Sequence, residues 1–211
     1  MDPSTDEVGW AEAAIDEACL STQEWFRSLP QFEPRVNLRS VVGYRSPALL
    51  SERDCVIAFA RFLVEAGVPW NAIHHEVSIS RWIFDAPHPA ATAMTTTAAR
   101  RRIDLVLVKQ QDLLAARLPA VAPGFAFEAF IEFGYLTDFW MEPQAQRFRE
   151  PLAGREKVAA DVRKIASHLE AGACRLGYVV AFEECDYGFE QDFATVAEVQ
   201  SDCRVRFIRN F

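Results

Sequence analysis

The chain predicts an α/β fold, a mixed central β-sheet flanked by helices. Three observations carry this. Stretches with apolar residues at helical spacing alternate with short β-branched and aromatic runs. Their order, α-α-β-β-β-α-β with a terminal β, suits neither a sandwich nor a bundle. The 211 residues, half of them hydrophobic and a quarter charged, fill one good-sized domain but not two ordinary ones.

The first element is a helix over residues 5–29, "TDEVGWAEAAIDEACLSTQEWFRSL". Val8, Ile15, Cys19 and Phe26 fall near one face, and acids crowd the first turns, where the helix dipole favours them. "PQFEP" ends it. Residues 1–35 carry eight acids against two arginines, so this helix reads as an acidic N-terminal extension outside the core unit, a cap or a surface for a protein partner. Residues 36–211 form the α/β domain proper.

A second helix opens near Ser51, with Asp54 placed as in a capping box. Val56, Phe59, Ala60, Leu63 and Val64 form its apolar stripe, and Gly67 then Pro69 stop it. "HHEVSISRWIFD" alternates as a strand does, and the turn-rich "APHPAATAMTTTAA" reads as an exposed loop. "RRRIDLVLVK" reads as a central strand. After a connector comes the strand "FAFEAFIEFGYL", then an irregular stretch. A third helix spans residues 155–173, with Val158, Val162, Ile165 and Leu169 as its apolar stripe. "CRLGYVVAFEEC" and "CRVRFIRNF" complete the sheet.

The composition excludes several classes. No run of 18 apolar residues offers a membrane span, and the N-terminus lacks the basic-then-apolar pattern of a signal peptide. Cytoplasmic residence is the expectation. Five scattered cysteines without a C-x-x-C pair fit reduced thiols, with Cys55 and Cys174 as core filler. No Walker-type phosphate loop, dinucleotide fingerprint or G-x-S-x-G turn is present. The net charge of −8 argues against a general nucleic-acid coat protein. Basic clusters survive locally at Arg100, Arg101 and Arg102 and at Arg147 and Arg149.

The informative residues are acids that interrupt strands. Asp104 stands at the start of "IDLVLV", and Glu132 late in "FEAFIEFGY". Residues at even spacing in a strand share a face, so Glu128, Phe130, Glu132 and Gly134 point one way. An acid among apolar strand residues must be paired, hydrated or bound to a cation. Two such acids on neighbouring strands suit a hard divalent ion such as Mg²⁺ or Mn²⁺. On the third helix, Lys157, Asp161, Lys164 and His168 recur at roughly helical spacing beside the apolar stripe. A lysine there leans toward the sheet end or toward solvent; His168 reads as a helix-surface residue. His74 and His75 are adjacent strand residues and point apart, so they do not share a metal.

The ordered set "SERD", "HHEVSI", "RRIDLVLV", "FIEFGY", "EKVAADVRKIASHL" and "GYVVAFEE" resembles the core of the PD-(D/E)XK, or restriction-endonuclease-like, phosphodiesterase superfamily. The resemblance covers about residues 50–185. It implies a restriction-endonuclease-like sheet core and a metal-dependent nuclease, acting on nucleic acid and on DNA in particular. Asp104 takes the place of the metal-binding acid after the turn, and Glu132 that of the second acid. Glu52 matches an extra metal-binding acid of several branches, and Glu76 an acid often found on the first core strand. The family's pattern has a lysine two residues after the second acid, where this chain has Gly134. Some branches carry that lysine on the following helix, which makes Lys164 and Lys157 the candidates, Lys164 first by its spacing. Arg100, Arg101, Arg102, Arg147 and Arg149 would hold the phosphate backbone. The alternative implied by the missing lysine is a catalytically inactive member of the fold, acting as a protein-binding or regulatory subunit.

Overall fold

The computed structural model of the chain describes residues 10–29, 52–78, 102–108, 127–136, 153–183 and 203–209. They form three helices, α1 (Trp10–Ser28), α2 (Glu52–Glu65) and α3 (Ala153–Glu170), and a 3₁₀ turn at Trp70–Ala72. Five strands complete the fold: β1 (Ile73–Ser78), β2 (Arg102–Leu107), β3 (Phe127–Leu136), β4 (Cys174–Glu183) and β5 (Cys203–Arg209).

The strands lie in one sheet in chain order. β1–β2 and β2–β3 are antiparallel; β3–β4 and β4–β5 are parallel. The parallel half needs crossovers, and α3 makes the one between β3 and β4. This mixed sheet with helices on both faces is the α/β architecture expected from the element order.

Period-2 alternation divides the apolar residues between two layers. Leu105, Leu107, Ile131, Phe133, Tyr178, Val180, Phe182 and Ile208 pack with α1 and α2. Val106, Phe130, Val179 and Ala181 pack with Val158, Val162 and Ile165 of α3. With both faces covered, all ten residues of β3 are buried. Cys55 and Cys174 lie in these layers as filler.

Helix α1 is built into the first layer through Ala11, Ile15, Ala18 and Phe26, with the Phe26 ring edge-on to Phe182. The sequence reading finds Ile15, Cys19 and Phe26 on one face but, from the acidic composition, sets the helix outside the core; that face is buried against the sheet. Its acids turn to β5. Glu12 pairs with Arg204 and Asp16 with Arg206, while the Gln23 amide accepts from the Arg209 N–H and donates to the Arg209 carbonyl. Two smaller differences concern side chains. Val64 is exposed rather than part of the α2 stripe, and His168 is buried edge-on against Phe130 rather than on the helix surface.

α2 and α3 close in the same way. The N–H of Val68 bonds the Leu63 carbonyl, and that of Ala173 the His168 carbonyl. Between each pair stands a glycine of positive φ, Gly67 and Gly172, as a helix C-terminus of this kind requires. Further on, Gly177 of β4 lets α3 settle onto the sheet. A Cβ there would lie 2.3 Å from Ile165 Cγ2 and 2.7 Å from Leu169 Cδ1, too close to hold.

Candidate active site

β2 and β3 part company at Asp104. Their pairing runs Leu107↔Ala129, Val106↔Phe130, Leu105↔Ile131 and stops, although β2 begins at Arg102 and β3 continues to Leu136. On the other side, β1–β2 pairing holds at His75↔Leu105 and Val77↔Ile103 but skips Glu76 and Asp104. Glu76 has φ 47°, a left-handed conformation unusual for a residue with a side chain. Alternation breaks at the same level: Ile103 joins the α3 layer while Leu105 joins the opposite one. These observations locate one kink, centred on Asp104, that forks the sheet.

Were the ladder to continue, Phe133 would face Ile103. Instead both of its backbone groups are taken by side chains. The Phe133 N–H donates to Asp104 Oδ2 at 2.9 Å, and the Phe133 carbonyl accepts from Lys157 Nζ at 2.9 Å. Buried backbone groups must be paired, so these two side chains do what the absent strand partner would have done. Lys164 reaches in from two turns further along α3. Its Nζ donates to Glu132 Oε1 and to the Arg102 carbonyl, each at 2.6 Å. Lys157 also pairs with Glu52, at the first turn of α2.

The fork thus gathers Asp104, Glu132, Lys157, Lys164 and Glu52, residues spread over 113 positions of the chain. Asp161 joins them, standing on α3 between the two lysines. Its Oδ2 is buried with no hydrogen-bond partner. The sequence reading noted its spacing but gave it no role in the site. The Lys-x₃-Asp-x₂-Lys pattern, all on one helix face, was the signal available.

The electrostatics follow from four acids around two lysines. Burial pushes the Glu132 carboxyl up to about 8, and the neighbouring Asp104 charge adds to this against the pull of Lys164. Burial likewise raises Asp104, with the Phe133 N–H opposing it. Asp161 is pushed up to about 6 by burial, with Lys157 and Lys164 opposing. Acids whose ionisation is resisted by burial and by one another form a place where added positive charge is favoured.

The remaining candidates stand apart or out of view. Glu76 pairs with the Arg102 guanidinium at 2.6 Å, so Arg102 is engaged at the β1 edge and only its carbonyl takes part in the fork. Arg100, Arg101, Arg147 and Arg149 lie outside the described residues. Gly134 faces α3, and a Cβ there would meet Val158 Cγ2 at an ordinary 3.5 Å. The absence of a lysine at this position is therefore not forced by space at the first carbon.

Among the described residues, no three of His, Cys, Asp and Glu form a group that could by themselves hold a metal ion. Mg²⁺ asks for less: one or two carboxylates, the rest of its shell being water and substrate oxygen. Asp104 and Glu132 are hard oxygen donors and supply two carboxylates at the fork. That donor set fits such an ion. Glu52, expected as a further ligand, pairs with Lys157 at the exposed side of the fork.

No protein-family model, no curated protein and no solved structure matches this chain.

Proposed function

We propose that the protein is a divalent-metal-dependent nuclease with a restriction-endonuclease-like core, hydrolysing phosphodiester bonds in DNA at the β2–β3 fork. The observation that carries this reading is the meeting of Asp104 and Glu132 with two α3 lysines, which supply the ammonium that Gly134 lacks. Asp104 and Glu132 would hold Mg²⁺ or Mn²⁺, which supplies Lewis acidity toward the phosphate and a water of lowered pKa. The chain's own groups do the rest. The Phe133 N–H fixes Asp104, a lysine of α3 offsets charge on the phosphate, and burial of Glu132 and Lys164 strengthens the interaction between them. Arg100, Arg101, Arg147 and Arg149 are assigned to the nucleic-acid backbone. The reading places the protein in the cytoplasm, with DNA as its partner.

The test is nicking of supercoiled plasmid by the purified protein with Mg²⁺ or Mn²⁺. Cleavage that disappears with a chelator and falls by about 100-fold or more in Asp104→Ala supports the reading. If the protein cuts nothing under either metal, and its thermal stability ignores both ions, the silent-subunit alternative stands, which the net charge of −8 favours.

A further inference from the structure

The two lysines at the fork are placed too differently to do the same work. Lys164 and its partner Glu132 have side chains only 8% and 5% exposed. The Lys164 ammonium is held between the Glu132 carboxylate on β3 and the Arg102 carbonyl on β2. It spans the fork and ties its two arms together. To meet an incoming polyanion it would have to leave both partners and abandon a buried carboxylate, which is costly. Lys157 and its partner Glu52 are 43% and 42% exposed. An exposed ion pair of this kind exchanges readily with solvent and with competing ions, because its net worth is small. The second acceptor of Lys157 is the Phe133 carbonyl, one residue beyond Glu132, so its amine already hangs over the fork at the solvent side.

On the nuclease reading above, we infer that the two lysines divide the task of the family's single lysine. Lys157 is the catalytic lysine that meets the phosphate, and Lys164 is a positioning residue that holds Glu132 and fixes the width of the fork. This reverses the preference that helical spacing alone gives, which ranks Lys164 first. Spacing shows which residues share a face, but the depth of each along the helix is set by what covers it.

Plasmid nicking at varied Mg²⁺, with thermal melts, tests the division on the full chain. Lys157→Met lowers kcat by about 100-fold or more and leaves the Mg²⁺ activation midpoint unchanged, with a Tm loss of no more than about 5 °C from the Phe133 carbonyl it leaves unpaired. Lys164→Met lowers Tm by roughly 5–10 °C and raises the Mg²⁺ midpoint about tenfold or more, while kcat at saturating Mg²⁺ stays within about tenfold. Should Lys164→Met fail to fold, Lys164→Arg keeps the tether and the charge and retains kcat, whereas Lys157→Arg does not restore it. A transplanted lysine adds a direct check. Gly134→Lys, where the first carbon has room, recovers at least about tenfold in the Lys157→Met background and nothing in the Lys164→Met background. Full activity in Lys157→Met, or a kcat collapse in Lys164→Met with Tm and midpoint unmoved, overturns the division while leaving the nuclease reading intact. A wild-type protein that cleaves nothing with Mg²⁺ or Mn²⁺ overturns both.

Discussion

Two ionic clusters in this molecule use the same kinds of residue and differ in their balance. Between α1 and β5, Glu12 and Asp16 meet Arg204 and Arg206, one acid to each base, at roughly half-exposed positions. At the fork, Glu52, Asp104, Glu132 and Asp161 surround only Lys157 and Lys164, and much of the surplus is buried. The first cluster is closed. Each charge has its opposite, and little is gained by adding anything. The second carries two more acids than bases and answers by resisting ionisation. A fold shaped for stability alone has no use for a buried surplus of like charge, since apolar residues of similar volume would serve it as well or better. Imbalance at depth, rather than the presence of charge, separates a candidate site from a structural zipper.

The comparison breaks most sharply at a residue that touches neither cluster. Gly177 sets how closely α3 lies on β4, and α3 carries both lysines and Asp161. Gly177→Ala forces its new carbon against the side chains of Ile165 and Leu169, so these side chains or the helix that carries them must shift. The expected cost is about 1–3 kcal/mol in denaturant unfolding, as for other overpacked cores. Cleavage should fall further than stability explains, because lysines moved by even an ångström no longer reach Glu132 and Phe133. The α1–β5 contacts, on the other face, should be unaffected. Loss of stability with activity per folded molecule unchanged would mean that helix placement does not govern the fork.

The second break is by pH. Asp104, Asp161 and Glu132 all take up protons more readily when folded than unfolded, with Asp161 near 6 and Glu132 near 8. Between the ordinary carboxylate range near 4 and about pH 8, the native state binds more protons than the unfolded one, so stability falls as pH rises through that window. Urea unfolding at pH 5, 6.5 and 8 reads this slope. Asp161→Asn removes one surplus charge and makes the slope shallower, with a gain of about 1 kcal/mol at pH 8. Millimolar Mg²⁺ should flatten the wild-type slope, since a bound cation favours the ionised acids. A slope identical with and without Mg²⁺ would count against a cation at the fork.

The parts of this account that the sequence reveals are those with a local signature. Helices α2 and α3 show their stripes, and β2, β3 and β4 show their apolar runs, because burial on a known period leaves a mark in composition. Asp104 and Glu132 were legible as lone acids in such runs. The fork was not. It arises from a φ of 47° at Glu76 and from two side chains bonding the backbone of Phe133, and no residue type announces either. The ranking of the lysines by spacing meets a related limit, since periodicity gives direction around a helix and says nothing about which end lies under cover. Helix α1 misled through its charge. Glu12 and Asp16 pair with β5, 192 and 190 residues away, and only tertiary structure brings those partners within reach.

The zipper itself supplies the control, and it predicts the smallest effect. Asp16→Ala removes a pair whose side chains are 44% and 40% exposed, at a site where Arg206 also lies over the Tyr178 ring. Solvent screens such a pair, and the guanidinium keeps its aromatic contact, so the loss should stay within about 1 kcal/mol. Raising the salt concentration should shrink the difference between wild type and variant further, because the interaction lost is a screened one. Nicking activity and its Mg²⁺ dependence should match the wild type, since the sheet separates this cluster from α3. If Asp16→Ala instead abolished activity at unchanged Tm, the acidic face of α1 would belong to the function after all. Charge balance would then fail as the criterion that divides the two clusters.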